Sequence, residues 1–318
     1  MALDHYVSQV HLRKFYSPAL GSKLHAIRKH DLFESTYSAK EICRIEAGNT
    51  NPYLQDPRAV EEFLKSVEPQ YNNALETLEK GIPNPDTIFT IAGFVAYVST
   101  CTPGAMRVDS GPLRDITRVT GEMLDSKGLL PKPLPVLNAR NFSDLITSGK
   151  AEIEIDPKYP QSFSISGIKS RVAAFGNFKW EVIINKFADS PFFTSDSPIV
   201  LQGTKDFTVF NRLVPLSPQL AVRICPTRAI DKREFALDFK HFGWRRISPS
   251  RTEIVAINKS IVRSAETEVY FRDDLPWIRS FVKKNSRYRV EPQTMRIPQP
   301  GGSLLFFKNE VRERIDGV

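Results

Sequence analysis

The chain has 318 residues, 41% hydrophobic and 25% charged, the composition of a globular protein with a sizeable core. Its formal net charge of +8 and isoelectric point of about 9.3 favour acidic partners such as nucleic acid. No apolar run approaches the roughly 20 residues of a membrane helix. Polar Asp4, His5 and Gln9 stand where a signal peptide needs an apolar stretch. Cys43, Cys101 and Cys225 are scattered, with no CxxC pair, so no zinc knuckle or disulfide framework is indicated. The expectation is a cytoplasmic protein with no membrane partner.

The opening stretch "DHYVSQVHLRKFYSP" sets His5, Gln9 and Arg13 four residues apart among aromatic and apolar residues. Termini are usually frayed, and this one carries enough anchors to be tied down. Residues 7–16 are expected as a short helix. "KLHAIRKH" (23–30) and "TYSAKEICRI" (36–45) alternate as a β-hairpin does. Asp56-Pro57 starts a helix that runs through "AVEEFLKSVEPQYNNALETLEKG" to Gly81, with a kink expected at Pro69. Two more helices follow at 86–101, apolar enough to be buried, and at 111–128. A proline-rich connector occupies 131–138, and a helix is expected at 141–149. The second half is richer in β-branched and aromatic residues. "KAEIEI", "SRVAAFGNFKWEVIINKF", "FFTSDSPIVLQG", "FTVF" and "LAVRIC" read as strands, "RTEIVAINKSIVRSAETEVYF" (251–271) as helical, and "SLLFF" (303–307) as a last strand. This segregation predicts an α+β protein, an N-terminal β-hairpin and helical block packed on a mainly antiparallel sheet block. The two parts divide near residue 150, as 1–150 and 151–318, within one compact unit.

Three places stand out for chemistry. In the helix after Asp56, Glu61, Leu64, Glu68, Tyr71 and Leu75 share one face, and Glu68 directly precedes the disruptive Pro69. In "PFFTSDSPIVLQ", a turn of small hydroxyls presents Ser195 and Asp196 at a strand end, although an Asx-turn is the commoner use of such an Asp. In the opening segment, His5 supplies an imidazole suited to proton transfer near neutrality, Arg13 a fork for phosphate, and Gln9 an orienting amide. Basic stretches at 23–30 and 279–289, including Arg28, Lys283 and Arg287, interleave cations with apolar residues in a way that can hold nucleic-acid phosphates, and that a solvated helix or strand face also shows. GxGxxG, P-loop and HExxH motifs are absent.

"HYVSQVHLRKF" resembles the "HYVPQ…LRxF" opening of a mostly bacterial family, domain of unknown function 4238, with Ser8 where that family usually has Pro. The similarity continues through "VEEFLKSVE", "FKWEVII", "TSDSP", "PLSP" and "AINKSIV", roughly residues 4–270. It implies that His5, Gln9, Arg13, Glu61, Glu68, Asp196 and Asn258 fall on the family's motif positions. It also implies a bacterial accessory protein of the kind found in toxin or phage-defence cassettes.

Three functions are compatible with these residues. The first is a phosphodiester hydrolase or transferase acting on nucleic acid or a nucleotide. His5, Gln9, Arg13, Glu68 and Asp196 would form its catalytic cleft, and Ser195, Asn258, Arg28, Lys283 and Arg287 would contact substrate. Glu68 and Asp196 would hold Mg or Mn, or would orient His5 and Arg13 without a metal. The second is a scaffold in which the N-terminal segment is a structural latch, with Arg13 paired to Glu68 and His5 bonded to Asp196. The third is a nucleic-acid binder that uses only the basic clusters.

Overall fold

The structure, a computed structural model, describes residues 3–204, 209–227, 231–299 and 302–314. Its first half comprises β1 (Leu3–His5), α1 (Gln9–Leu12), β2 (Leu24–Arg28), β3 (Glu34–Tyr37), β4 (Arg44–Glu46), α2 (Ala59–Val67), α3 (Tyr71–Lys80), α4 (Pro85–Cys101), α5 (Pro103–Ser126) and α6 (Phe142–Thr147). The second half comprises α7 (Lys158–Ser166), α8 (Ile168–Asn177), β5 (Lys179–Ile184), β6 (Thr194–Ser195), β7 (Val200–Gly203), β8 (Phe210–Pro215), β9 (Leu220–Cys225), β10 (Gly243–Ile247), α9 (Arg251–Ser264), β11 (Glu268–Phe271), α10 (Ile278–Asn285), β12 (Tyr288–Gln299) and β13 (Gly302–Glu313). The architecture is mixed α+β with several antiparallel sheets, as expected.

The central sheet has the order β10-β5-β9-β8-β7 and is antiparallel except for the parallel β10–β5 edge. Strand alternation sends Trp180, Val182, Val222 and Ile224 to one face and Ile183, Leu213 and Ala221 to the other. The first face packs on α2, α3, α4, α7 and α8, and the second on α9 and α10. Helix α4 is buried nearly all round, which explains its continuous apolar composition. Among the described residues no single helix is long and apolar enough to cross a membrane. A second sheet, β3-β2-β11-β6, joins the N-terminal hairpin to strands from beyond residue 150 by hydrogen bonds.

Several elements depart from the expected ones. Residues 150–155 form no strand. The stretch "SRVAAFGN" is the helix α8, and only "KWEVII" is a strand. Its Val and Phe residues pack on α4 by helical spacing, so tertiary burial decides against their β propensity. The helix read at 251–271 ends at Ser264, where the chain turns into β11. The hairpin's second strand is Glu34–Tyr37, and Arg44–Glu46 pairs with β1 instead. Helix α5 begins at Pro103, eight residues before the expected start at Gly111, and carries Pro112 inside it. Residues 207 and 208 of the "FTVF" strand lie outside the described residues. The expected kink is present: α2 and α3 are separated by a 3₁₀ turn at Glu68–Gln70, and Gly81 closes α3 with φ of 75°.

Candidate functional site

The N-terminal segment is anchored along one side. Val7, Leu12 and Phe15 have no exposed surface and pack with Leu24, Ala26 and Tyr270. Each such side chain contributes roughly 1.5–3 kcal/mol of transfer free energy, enough to hold a segment that would otherwise fray. His11 lies on the same sealed side. Its Nδ1 is 2.9 Å from the Tyr71 hydroxyl, its Nε2 2.9 Å from Thr194 Oγ1, and its ring stacks on Phe94 at 4.7 Å. It therefore joins α3 and α4 to β6. Full burial pushes its pKa down to about 3, so the ring is neutral. Sequence reasoning passed over His11. The signal was its spacing with Val7 and Phe15 at i, i+4 and i+8, which places it on the apolar stripe.

The other side of the segment faces an open pocket of about 620 Å³. Strand β1 pairs antiparallel with β4, His5 opposite Arg44. The Tyr97 hydroxyl donates to the His5 carbonyl, and Tyr6 N–H donates to the Cys43 carbonyl at 2.8 Å. Gly48 permits this closure: a Cβ there would lie 3.0 Å from Ile45 Cγ1 and 3.2 Å from the Asp4 carbonyl oxygen. The ring of His5, half-buried, donates from Nε2 to the Ala39 carbonyl at 3.1 Å. A carbonyl only accepts, so the proton sits on Nε2 and Nδ1 keeps its lone pair. Gln9 Nε2 approaches Nδ1 at a long 3.5 Å, and Gln9 Oε1 accepts from Arg13 Nη2 at 2.8 Å. His5, Gln9 and Arg13 thus form one hydrogen-bonded row at i, i+4 and i+8.

Glu61, Lys65 and Glu68 line the opposite wall. Glu61 is bonded to Arg58, which also reaches Asp4 at 3.2 Å, and Lys65 pairs with Glu62. Glu68 makes no ion pair among the described residues. Burial lowers the His5 pKa from its ordinary 6.5; the Ala39 carbonyl opposes this, the Arg44 charge adds to it, and the Glu68 charge opposes it more weakly. The ring is therefore a neutral base at pH 7, facing a carboxylate able to stabilise the imidazolium.

Asp196 lies elsewhere. It is 3% exposed, and its two oxygens accept from the backbone N–H of Glu266 at 2.9 Å, Thr267 at 2.7 Å and Glu268 at 3.2 Å, and from the Thr267 hydroxyl. Four donors fix the β6 end to the start of β11. Burial raises the Asp196 pKa, the Thr267 and Glu266 donors oppose that rise, and the buried Lys29 ammonium opposes it further. Asp196 is absent from the pocket wall, and its oxygens are turned to N–H donors. The expected Glu68–Asp196 metal pair is therefore not assembled, and Mg or Mn does not fit these two residues as a site. Among the described residues no group of three or more His, Cys, Asp and Glu side chains could hold a metal ion. The bonds expected of a latch, His5 to Asp196 and Arg13 to Glu68, are likewise replaced by His5 to Ala39 and Arg13 to Gln9.

The expected substrate contacts are dispersed. Ser195 is fully buried and accepts from Ser197 N–H at 3.2 Å. Asn258 is also fully buried, where it accepts from Phe193 N–H and donates to the Pro191 carbonyl, holding the approach to β6. Arg28 pairs with Asp31 and Glu268 and covers the Phe33 ring. Lys283 is exposed on α10, and Arg287 is bonded to Glu313. None of the five lines the His5 pocket.

No curated protein and no solved structure matches the chain. Residues 4–274 match the model of a family described as "Protein of unknown function (DUF4238)". That span takes in every candidate residue from His5 to Asn258, and the chain belongs to this family.

Proposed function

We propose that the protein cleaves or transfers a phosphodiester of nucleic acid or a nucleotide in the His5 pocket. The observation that carries this proposal is the His5–Gln9–Arg13 row. One imidazole nitrogen is fixed on the Ala39 carbonyl, the other is held only by a 3.5 Å contact, and the Arg13 guanidinium stands beyond Gln9 on the same open side. Arg13 retains N–H donors beyond the one given to Gln9, and these would grip the non-bridging oxygens of a phosphodiester. His5 Nδ1 would take the proton of an attacking water or hydroxyl as the new P–O bond forms. The imidazolium would return that proton to the leaving oxygen as the old P–O bond breaks. Glu68 would stabilise the imidazolium across the pocket, and Gln9 would hold ring and guanidinium in register. Because Asp196 is committed to backbone donors, no step is routed through a metal. The chain's positive charge supports the choice of a polyanionic substrate.

A second role, a non-catalytic scaffold with a latched N-terminus, draws support from different residues. His11 is sealed between Tyr71 and Thr194 and has no access to a ligand. A latch at His11 and a site at His5 occupy opposite sides of the same segment and are compatible. The test is cleavage of short RNA and DNA oligonucleotides and of a chromogenic phosphodiester by wild type, His5→Ala and Arg13→Ala. Loss of roughly 10²–10⁴-fold in rate with an unchanged melting temperature supports catalysis. Wild-type rates in His5→Ala would refute it.

A further inference from the structure

We propose that a second, half-open cavity between α5, α8 and β8 binds a small tetrahedral oxyanion of the phosphate class. The cavity measures about 190 Å³ and shares no lining residue with the His5 pocket. Arg171 from α8 and Arg212 from β8 both line it. Among the described residues neither guanidinium makes an ion pair. Arg171 donates to the Thr100 and Ser164 hydroxyls. Arg212 has the Phe210 carbonyl at 3.4 Å and lies over the Phe175 ring, 4.8 Å from its centroid. Two largely buried cations brought together with no carboxylate in ion-pair contact is a costly arrangement. Burial, with Arg171 adding to it, pushes the Arg212 pKa down to about 10.

The cavity wall also carries an unsatisfied donor. Ser264 is 2% exposed, and its hydroxyl has no hydrogen-bond partner. Buried hydroxyls are normally paired, and an anion bound between the two arginines would supply the missing acceptor. Ser197 lines the same wall, and Gly104 and Ala105 bring the first turn of the long helix α5, its positive end, to the cavity. Two carboxylates, Glu266 and Asp109, also line the cavity, and each has other partners. Glu266 is gripped by Arg107 through contacts of 2.9 and 3.0 Å. Asp109 has its pKa raised by burial, opposed first by the hydrogen bond it accepts from Ser164 and then by the Arg171 charge, so it offsets at most one of the two cations.

Size selects the ligand. At roughly 30 Å³ per water the space holds about six waters, and it falls below the roughly 300–1,000 Å³ of pockets for larger organic ligands. A free phosphate or sulfate fits this scale better than a nucleotide. The decisive experiment is isothermal titration of the full chain with inorganic phosphate. Saturable one-to-one binding is expected, competed by sulfate, weakened at least roughly tenfold in Arg212→Gln and unchanged in His5→Ala. Ser264→Ala, which removes one oxygen and should fold even where Arg212→Gln does not, is expected to weaken binding roughly fivefold. The proposal is overturned by absence of saturable phosphate binding at millimolar concentration. It is equally overturned by binding that survives Ser264→Ala and Arg212→Gln but is lost in His5→Ala, or by binding of adenosine monophosphate without binding of phosphate.

Discussion

The two sides of the N-terminal segment use the same kinds of side chain to opposite ends. On the sealed side, His11 has both ring nitrogens bonded to hydroxyls within the core, and nearby Asp196 has both oxygens engaged by donors of Glu266, Thr267 and Glu268. On the open side, His5 has one nitrogen fixed and one nearly unengaged, and Glu68 has no ion-pair partner among the described residues. Full satisfaction in a dry setting makes a structural joint, because nothing remains with which to bind a ligand. Partial satisfaction beside solvent leaves chemistry available.

This contrast can be broken by substitution. The largest stability loss is expected from Asp196→Ala, which takes the shared acceptor from three backbone N–H groups and the Thr267 hydroxyl and unties β6 from β11; about 3–5 kcal/mol, read by denaturant unfolding. A loss below about 1 kcal/mol would show that the joint is not structural. His11→Ala should follow at about 2–4 kcal/mol, combining lost hydrogen bonds with a cavity beside Phe94. His5→Ala should change stability by less than about 1 kcal/mol while removing activity, so the two histidines separate when melting temperature and rate are measured side by side.

A pH experiment sharpens the same difference. The folded-state pKa of His11 lies below its unfolded value of 6.5, at about 3. The unfolded chain therefore takes up a proton that the native state refuses. The stability this ring protects is present above 6.5 and is lost as pH falls, at about 1.4 kcal/mol per pH unit until about pH 3. His11→Gln should flatten that slope; an equally steep slope in the variant would assign the loss to other groups. The smallest effect is expected from Glu68→Gln. Glu68 raises the His5 pKa, so its neutralisation should move the acidic limb of the rate profile, where the His5 base becomes protonated, to lower pH by a fraction of a unit. A shift in the other direction would place Glu68 in a different role.

Part of the candidate pocket was legible in the sequence. The i, i+4 spacing of His5, Gln9 and Arg13 survives as a row of hydrogen bonds, and Pro69 does break the helix beside Glu68, because both are local effects that neighbouring residues dictate. The partners of Asp196 were not legible. They come from pairing β6 with β11 across 70 residues, and no local pattern specifies which N–H groups a turn will meet. The same holds for His11, whose acceptor and donor lie 60 and 183 residues away. At fold level, the α+β segregation was visible in composition. Helix α8 was misread because Val172, Ala173 and Phe175 suit either a strand or a buried helix, and only packing on α4 decides between them.

The most direct check is to follow the ring resonances of both histidines by NMR through a pH titration, with and without a non-cleavable dinucleotide. His5 is expected to titrate somewhat below 6.5 and to shift when the phosphodiester is added, while His11 stays neutral and unmoved until the fold is lost. Titration of His11 near 6.5, or a dinucleotide response at His11 and none at His5, would contradict the assignment of an open and a sealed side.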